Sequence, residues 1–486
     1  MSFNLFRASE TSQVVDENDN EIGRPEGVSP DSLEAEFQKF KTGVHRELID
    51  KIDLSRIAEM HDEQLKAHVR RLAKAILRNH TASPASMDEE RLVDELIAES
   101  FGLGPLEPFM RDPDVTDILV NGPQEVFVER FGRLQETSTV FADEDHLLQI
   151  IGRIVARVGR RIDETSPMVD ARLPDGSRVN AIIRPLSLAG PVLSIRRFGQ
   201  TPLQLENLLD FGTLCPEMIA LLKAAVEGRM NIMISGGTGA GKTTLLNNLS
   251  RFIPIDDRLV TIEDSAELIL QRKHVVRLET RPENIEGSGE VSQRDLVRNA
   301  LRMRPDRILL GEVRGGEALD MLQAMNTGHE GSLTTIHAND TQDALSRLEV
   351  MVAMSGFDLP VSVVRRYVSS ALTLLIHIAR LKGGGRRVMQ ISEVLALDGK
   401  EYQLRPLFGF KQRGVDDLGN ATGNFYATGQ VPHFRHRLDE VGIDLPESLF
   451  KERLLETPVP CAPAEPTLRA SETDDDLESG LDDLVD

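Results

Sequence analysis

Cysteine is almost missing from this chain: two residues in 486, Cys215 and Cys461, stand far apart and share no ligand-like spacing. That excludes a disulfide framework and a zinc knuckle, and makes a reducing cytoplasm the expected compartment. Tryptophan is absent and tyrosine occurs three times, so stacking platforms for single-stranded nucleic acid are poorly supplied. No apolar run approaches 18 residues. The nearest, ALTLLIHIA at 371–379, has the length of a buried strand rather than of a membrane span. The opening MSFNLFRASETSQVVDENDN turns acidic where a secretory leader turns apolar, so no signal peptide is expected.

Basic residues are outnumbered, 56 against 78 acidic ones, for a formal net charge of −22. That sign argues against direct binding of nucleic acid. The deficit sits at the ends. Residues 1–36 hold nine acids and two arginines, and residues 470–486 hold eight acids and no base, leaving −7 for the 433 residues between. One stretch reverses the sign: residues 150–200 carry nine arginines, no lysine and four acids. Such a bias favours bidentate contacts to anions.

Periodicity and turn signals divide the chain. Residues 1–32 are an acidic tail expected to be disordered. In 33–100 apolar positions recur at helical spacing (Leu48, Ile52, then Leu65, Val69, Leu72, Ile76), and Met87 to Glu99 adds a further helix. A small three-helix bundle follows. Residues 101–199 hold short β-like runs (VTDILV, EVFVERF, RVNAIIRP, VLSIRRF) around one helix, an α+β domain. A linker at 200–212 leads to 213–400, where strands alternate with helices as in an α/β domain with a parallel sheet. Residues 401–455 form a small α+β appendage, and 456–486 a second acidic tail.

Gly236-Gly237-Thr238-Gly239-Ala240-Gly241-Lys242-Thr243 satisfies G-x-x-x-x-G-K-[ST], between the apolar strand NIMIS and a helix. Glycines allow a tight loop whose N–H groups converge on phosphates at a helix N-terminus. Lys242 should reach the β- and γ-phosphates, and the Thr243 hydroxyl should ligate Mg²⁺. Hydrolysis also needs a carboxylate. After the strand ILL come Gly311 and Glu312, where a Walker-B motif ends with Gly311 in place of the usual Asp. Glu312 either polarises the attacking water or holds magnesium through a water. Glu263 and Asp264 end another strand, LVTIED, and are candidates for a second acid. His329 and His337 flank GSLTTI and can contact the γ-phosphate; with no cysteine or third histidine beside them they are not a zinc site.

Taken together these segments resemble the ATPases of type II and type IV secretion systems and type IV pili. The resemblance rests on GGTGAGKTT (236–244), which extends the Walker A through Thr244, on TIEDSAEL (261–268), on RMRPDRILLGEVRGGEA (302–318) and on TGHEGSLTTIHAND (327–340). In that family glycine at position 311 is normal. FGLGPLEPFMRDPDVTDILVNGP (101–123) and DGSRVNAIIRP (175–185) look like the Flp/Tad pilus, CpaF-like subgroup. The resemblance covers about residues 33–455. It implies a RecA-like P-loop ATPase domain behind a PAS-like α+β domain, with ATP and Mg²⁺ as cofactors. Lys242 and Thr243 match the P-loop residues, Glu312 the catalytic glutamate, Glu263 the Asp-box carboxylate and His337 the second His-box histidine. It further implies a homohexamer whose N-terminal domain supplies arginines to the nucleotide, for which Arg178, Arg196 and Arg197 are candidates. Such a motor is cytoplasmic, peripheral to the inner membrane, and drives platform proteins that insert or remove pilins. The alternatives are a type IV secretion ATPase exporting protein or DNA, and a nucleotide-gated scaffold without useful turnover.

Overall fold

The computed structural model describes residues 62–79, 88–130, 132–197, 203–281, 283, 288–399, 401–417 and 419–456, with seven further positions between 40 and 51. The two tails expected to be disordered lie outside these residues, apart from Glu456. The chain forms two compact units, 1–107 and 108–486.

In the first unit, helices α1 (Asp62–Asn79) and α2 (Glu89–Phe101) present apolar residues at three- and four-residue steps. Val69, Ala73 and Ile76 meet Leu92, Val93 and Leu96 in a buried cluster that Val44 and Leu48 complete. Asp88 starts α2 by accepting the N–H groups of Glu90 and Arg91, which satisfies donors that the helix itself cannot.

The second unit begins with six strands, β1 (Val115–Asn121), β2 (Val126–Arg130), β3 (Arg133–Glu136), β4 (Met168–Arg172), β5 (Arg178–Ile182) and β6 (Val192–Arg196). They form an antiparallel sheet in the order β3-β2-β1-β6-β5-β4. Alternation sets the faces: Ile118 and Val120 are buried, as are Val179 and Ala181. Helix α3 (Glu144–Arg157), capped by Asp143, buries the stripe Leu147, Ile150, Ile151, Ile154.

The rest is a ten-stranded sheet. Strands β7 (Ile232–Gly236), β8 (Leu259–Glu263), β9 (Val275–Glu279), β10 (Arg307–Val313), β11 (Leu333–His337) and β12 (Leu374–Arg380) are parallel. Strands β13 (Arg386–Asp398), β14 (Glu401–Val415), β15 (Ala421–Ala427) and β16 (Arg453–Leu455) follow antiparallel. The order is β16-β15-β14-β13-β12-β7-β11-β10-β8-β9. Every residue of β7 and β8 is buried, because two apolar clusters cover the sheet's two faces.

Two expected boundaries are corrected. The 401–455 segment is not an appendage: β14 pairs with β13 along the parallel sheet's open edge, and Phe408, Phe425 and Phe450 join the core that holds Ile232 and Ile234. The 200–212 linker contains a helix, α4 (Leu205–Asp210). Asn207 accepts the N–H of Gln204 at its start, and Leu208 is buried in the same core.

Candidate functional site

The Gly236–Thr244 loop leaves the carboxyl end of β7 and opens helix α6 (Lys242–Leu249); helix α5 (Pro216–Glu227) precedes β7. Gly239 and Gly241 have φ of 66° and 99°, a region closed to most side chains, so the loop's tightness depends on glycine there. Lys242 Nζ donates to the carbonyls of Gly236 at 3.1 Å and Gly237 at 3.2 Å. It lies 3.5 Å from Glu312 Oε1. Parallel pairing makes that meeting possible: β11 separates β7 from β10, and His337 at its end pairs with Gly236.

Glu312 is further held by Arg314, whose Nη2 stands 2.6 Å from Glu312 Oε2, while Arg314 Nη1 reaches Asp264 Oδ2 at 2.9 Å. Burial pushes the Glu312 carboxyl up, but hydrogen bonding and charge from Arg314, with Lys242, outweigh it and hold it below its ordinary range. Glu263 differs. Its Oε2 accepts the N–H groups of Glu267 at 2.7 Å and Leu268 at 3.0 Å, its Oε1 is buried without a partner, and burial raises its pKa. The carboxylate joined to Glu312 through Arg314 is therefore Asp264, while Glu263 shapes the turn beneath it. Arg314 is absent from the sequence-derived candidates. Its signal was its spacing, since residues two apart at a strand end share a face.

The arginine candidates separate. Arg172, Arg178 and Arg196 stand opposite one another on β4, β5 and β6. Arg178 meets Glu267 at 2.8 Å and the Ser265 carbonyl at 3.3 Å. Arg172, not among the candidates, donates to the Ala266 carbonyl at 2.8 Å and pairs with Glu279 at 2.5 Å. These two pin the antiparallel sheet to the segment after β8. Arg196 instead pairs at 3.2 Å with Asp117, its cross-strand neighbour on β1. The expectation for Arg197 is corrected. Its guanidinium donates to the carbonyls of Met110 at 2.7 Å and Val115 at 2.9 Å, and to that of Asp112, so it braces its own sheet.

Among the described residues no three His, Cys, Asp or Glu side chains converge as a metal cage. Mg²⁺ needs only one or two protein oxygens, with phosphates and water completing its shell; Thr243 on the first turn of α6 and Glu312, 3.5 Å from Lys242, carry oxygens of that kind. No helix among the described residues is long and apolar enough to cross a membrane.

The type II/IV secretion system protein family matches residues 99–402. A Mycobacterium tuberculosis protein named provisionally for conjugal transfer is 38% identical over 311 residues, 63% of this chain and 88% of its own length. The type IV secretion system protein VirB11 of Brucella suis is 33% identical over 333 residues, 62% of this chain and 92% of that protein. The solved VirB11 ATPase of Brucella suis, in complex with sulphate, shows 32% identity with a TM-score of 0.32, across 60% of this chain and 97% of that one. With the family's match running from the antiparallel sheet through strand β13 of the P-loop sheet, the chain belongs to the type II/IV secretion system protein family.

Proposed function

We propose that this chain is an ATP-hydrolysing motor, working at Gly236–Thr244 with Mg²⁺. The observation that carries the reading is the approach of Lys242 Nζ to Glu312 Oε1, 3.5 Å, at the carboxyl ends of parallel strands, where open α/β sheets bind ligands. The loop N–H groups and the start of α6 receive the phosphates. Lys242 serves the β- and γ-phosphates, which are stronger acceptors than its present carbonyl partners. Thr243 and Glu312 would hold magnesium, which would neutralise charge on the phosphates. Glu312, kept ionised by Arg314, takes a proton from the attacking water. The water oxygen bonds to the γ-phosphorus as the bond to the β-phosphate oxygen breaks, giving ADP and phosphate.

Loss of the γ-phosphate changes the charge beside Glu312, and Arg314 carries that change to Asp264. The neighbouring residues of the same turn are gripped by Arg178 and Arg172. Such a relay would move a PAS-like N-terminal sheet against the P-loop sheet. The pairing of His337 with Gly236, at the start of the phosphate loop, supports a γ-phosphate-sensing role for it. We take the assembly to be a cytoplasmic homohexamer acting on inner-membrane platform proteins of a Flp/Tad-type pilus. The 101–123 and 175–185 stretches support this. The second reading, type IV secretion, is favoured by the conjugal-transfer and type IV secretion names of the relatives. Chromosomal Lys242→Ala and Glu312→Ala strains test the choice. Loss of surface filaments supports the pilus reading, and loss of protein or DNA export with filaments intact supports the other.

A further inference from the structure

Two arginines at the β12–β13 turn stand against the P-loop, and the chemistry above uses neither. Arg386 Nε donates to the Gly239 carbonyl at 3.0 Å. Arg380 Nη1 lies 3.5 Å from where a Cβ on Gly239 would be. They come there because β12 pairs directly with β7, the strand that feeds the loop. The turn between them is fixed from behind, since a Cβ on Gly383 would strike Asn420 at 2.5–2.7 Å. Arg380 also holds the β2–β3 hairpin of the antiparallel sheet. Its Nη2 donates to the Gly132 carbonyl and lies 3.6 Å from Glu129 Oε1.

One guanidinium therefore stands beside the phosphate loop while bonding to the N-terminal sheet. Its neighbour Arg386 is a like charge, held below its ordinary pKa by burial and then by Arg380, with Glu129 acting in the opposite sense. Nucleotide phosphates in the loop are a second, stronger counter-charge for this pair. We propose that the phosphates and the β2–β3 hairpin compete for Arg380, so that a loaded P-loop loosens the hairpin and a held hairpin weakens nucleotide binding. Arg380 is on this account a positioning residue that couples the two sheets, separate from the Arg314 relay. The inference rests on the nucleotide reading of the P-loop, and linkage makes the effect reciprocal.

The opposed signs of two substitutions test it. The full-length chain is titrated calorimetrically with a non-hydrolysable ATP analogue and Mg²⁺. Arg380→Ala removes a charged ligand and should weaken binding by about tenfold, with Arg380→Lys in between. Glu129→Gln removes the competitor and should tighten binding severalfold, and this gain should vanish in the Arg380→Ala background. In hydrogen exchange, nucleotide should speed the β2–β3 amides of the wild-type chain and not those of Arg380→Ala. Weakened or unchanged binding by Glu129→Gln overturns the competition while leaving the nucleotide reading intact. A wild-type chain that does not bind the analogue overturns both.

Discussion

Glu263 Cγ stands 3.0 Å from the point where a Cβ on Gly311 would be. Strands β8 and β10 are paired there, Leu310 opposite Ile262, and the buried Glu263 side chain fills the space of the missing Walker-B Asp. Glycine at 311 is thus a packing requirement of Glu263. Gly311→Asp should lower stability by about 1–3 kcal/mol through overpacking. Urea denaturation measures it, and adding Glu263→Ala should recover most of the loss. Equal loss in the single and double variants would refute the packing account.

Arg314 sets the protonation of Glu312. Burial alone would raise that carboxyl, and Arg314 with Lys242 reverses the sign. The stability and activity tied to the ionised form are present above the ordinary carboxylate value and lost as pH falls through the lowered one. Arg314→Ala leaves burial less opposed, so the acidic limb of the kcat/KM profile should move to higher pH, with Arg314→Lys moving it less. An unmoved limb contradicts the assignment.

The Arg307 side chain is fully buried, 0% exposed, with Nε on Asp257 Oδ2 at 2.7 Å. Breaking such a pair from one side leaves an uncompensated buried charge. Asp257→Ala should therefore cost about 3–5 kcal/mol in thermal or urea unfolding. A cost below about 1 kcal/mol, as for an exposed pair, would contradict this, since the same substitution also removes the carboxylate from Arg229, 2.6 Å away.

Arg178 and Arg197 should separate in assay. Arg197→Ala strips donors from three partly buried carbonyls and should destabilise the chain by about 1–3 kcal/mol with nucleotide affinity unchanged. Arg178→Ala should leave stability within about 1 kcal/mol and slow turnover. Calorimetry and phosphate release on both variants check this; the reverse pattern contradicts it.

These residues also show how far the sequence could be read. The P-loop was legible because its requirements are contiguous: two glycines at positive φ and a lysine at the helix start. Arg196 and Arg197 were indistinguishable by composition, yet adjacent strand residues point to opposite faces, so they could not both face one ligand. The alternation already separated them. Arg172 and Arg380 required knowledge of which strands are neighbours, a long-range property that no local pattern encodes. The same holds for β13–β16. Residues 401–455 were read only as an α+β appendage, because the open edge of β12 and β13 that receives their strands is a fact of topology. The helix within 200–212 was hidden by its length, six residues.

Phosphate release by the purified full-length chain reads hydrolysis at Lys242 and Glu312 directly. With Mg²⁺ and ATP, the wild-type chain should turn over. Glu312→Gln should bind ATP with turnover lowered about 10²- to 10⁴-fold, and Lys242→Ala should lose affinity for the nucleotide. Turnover by Glu312→Gln equal to that of the wild-type chain would contradict the account.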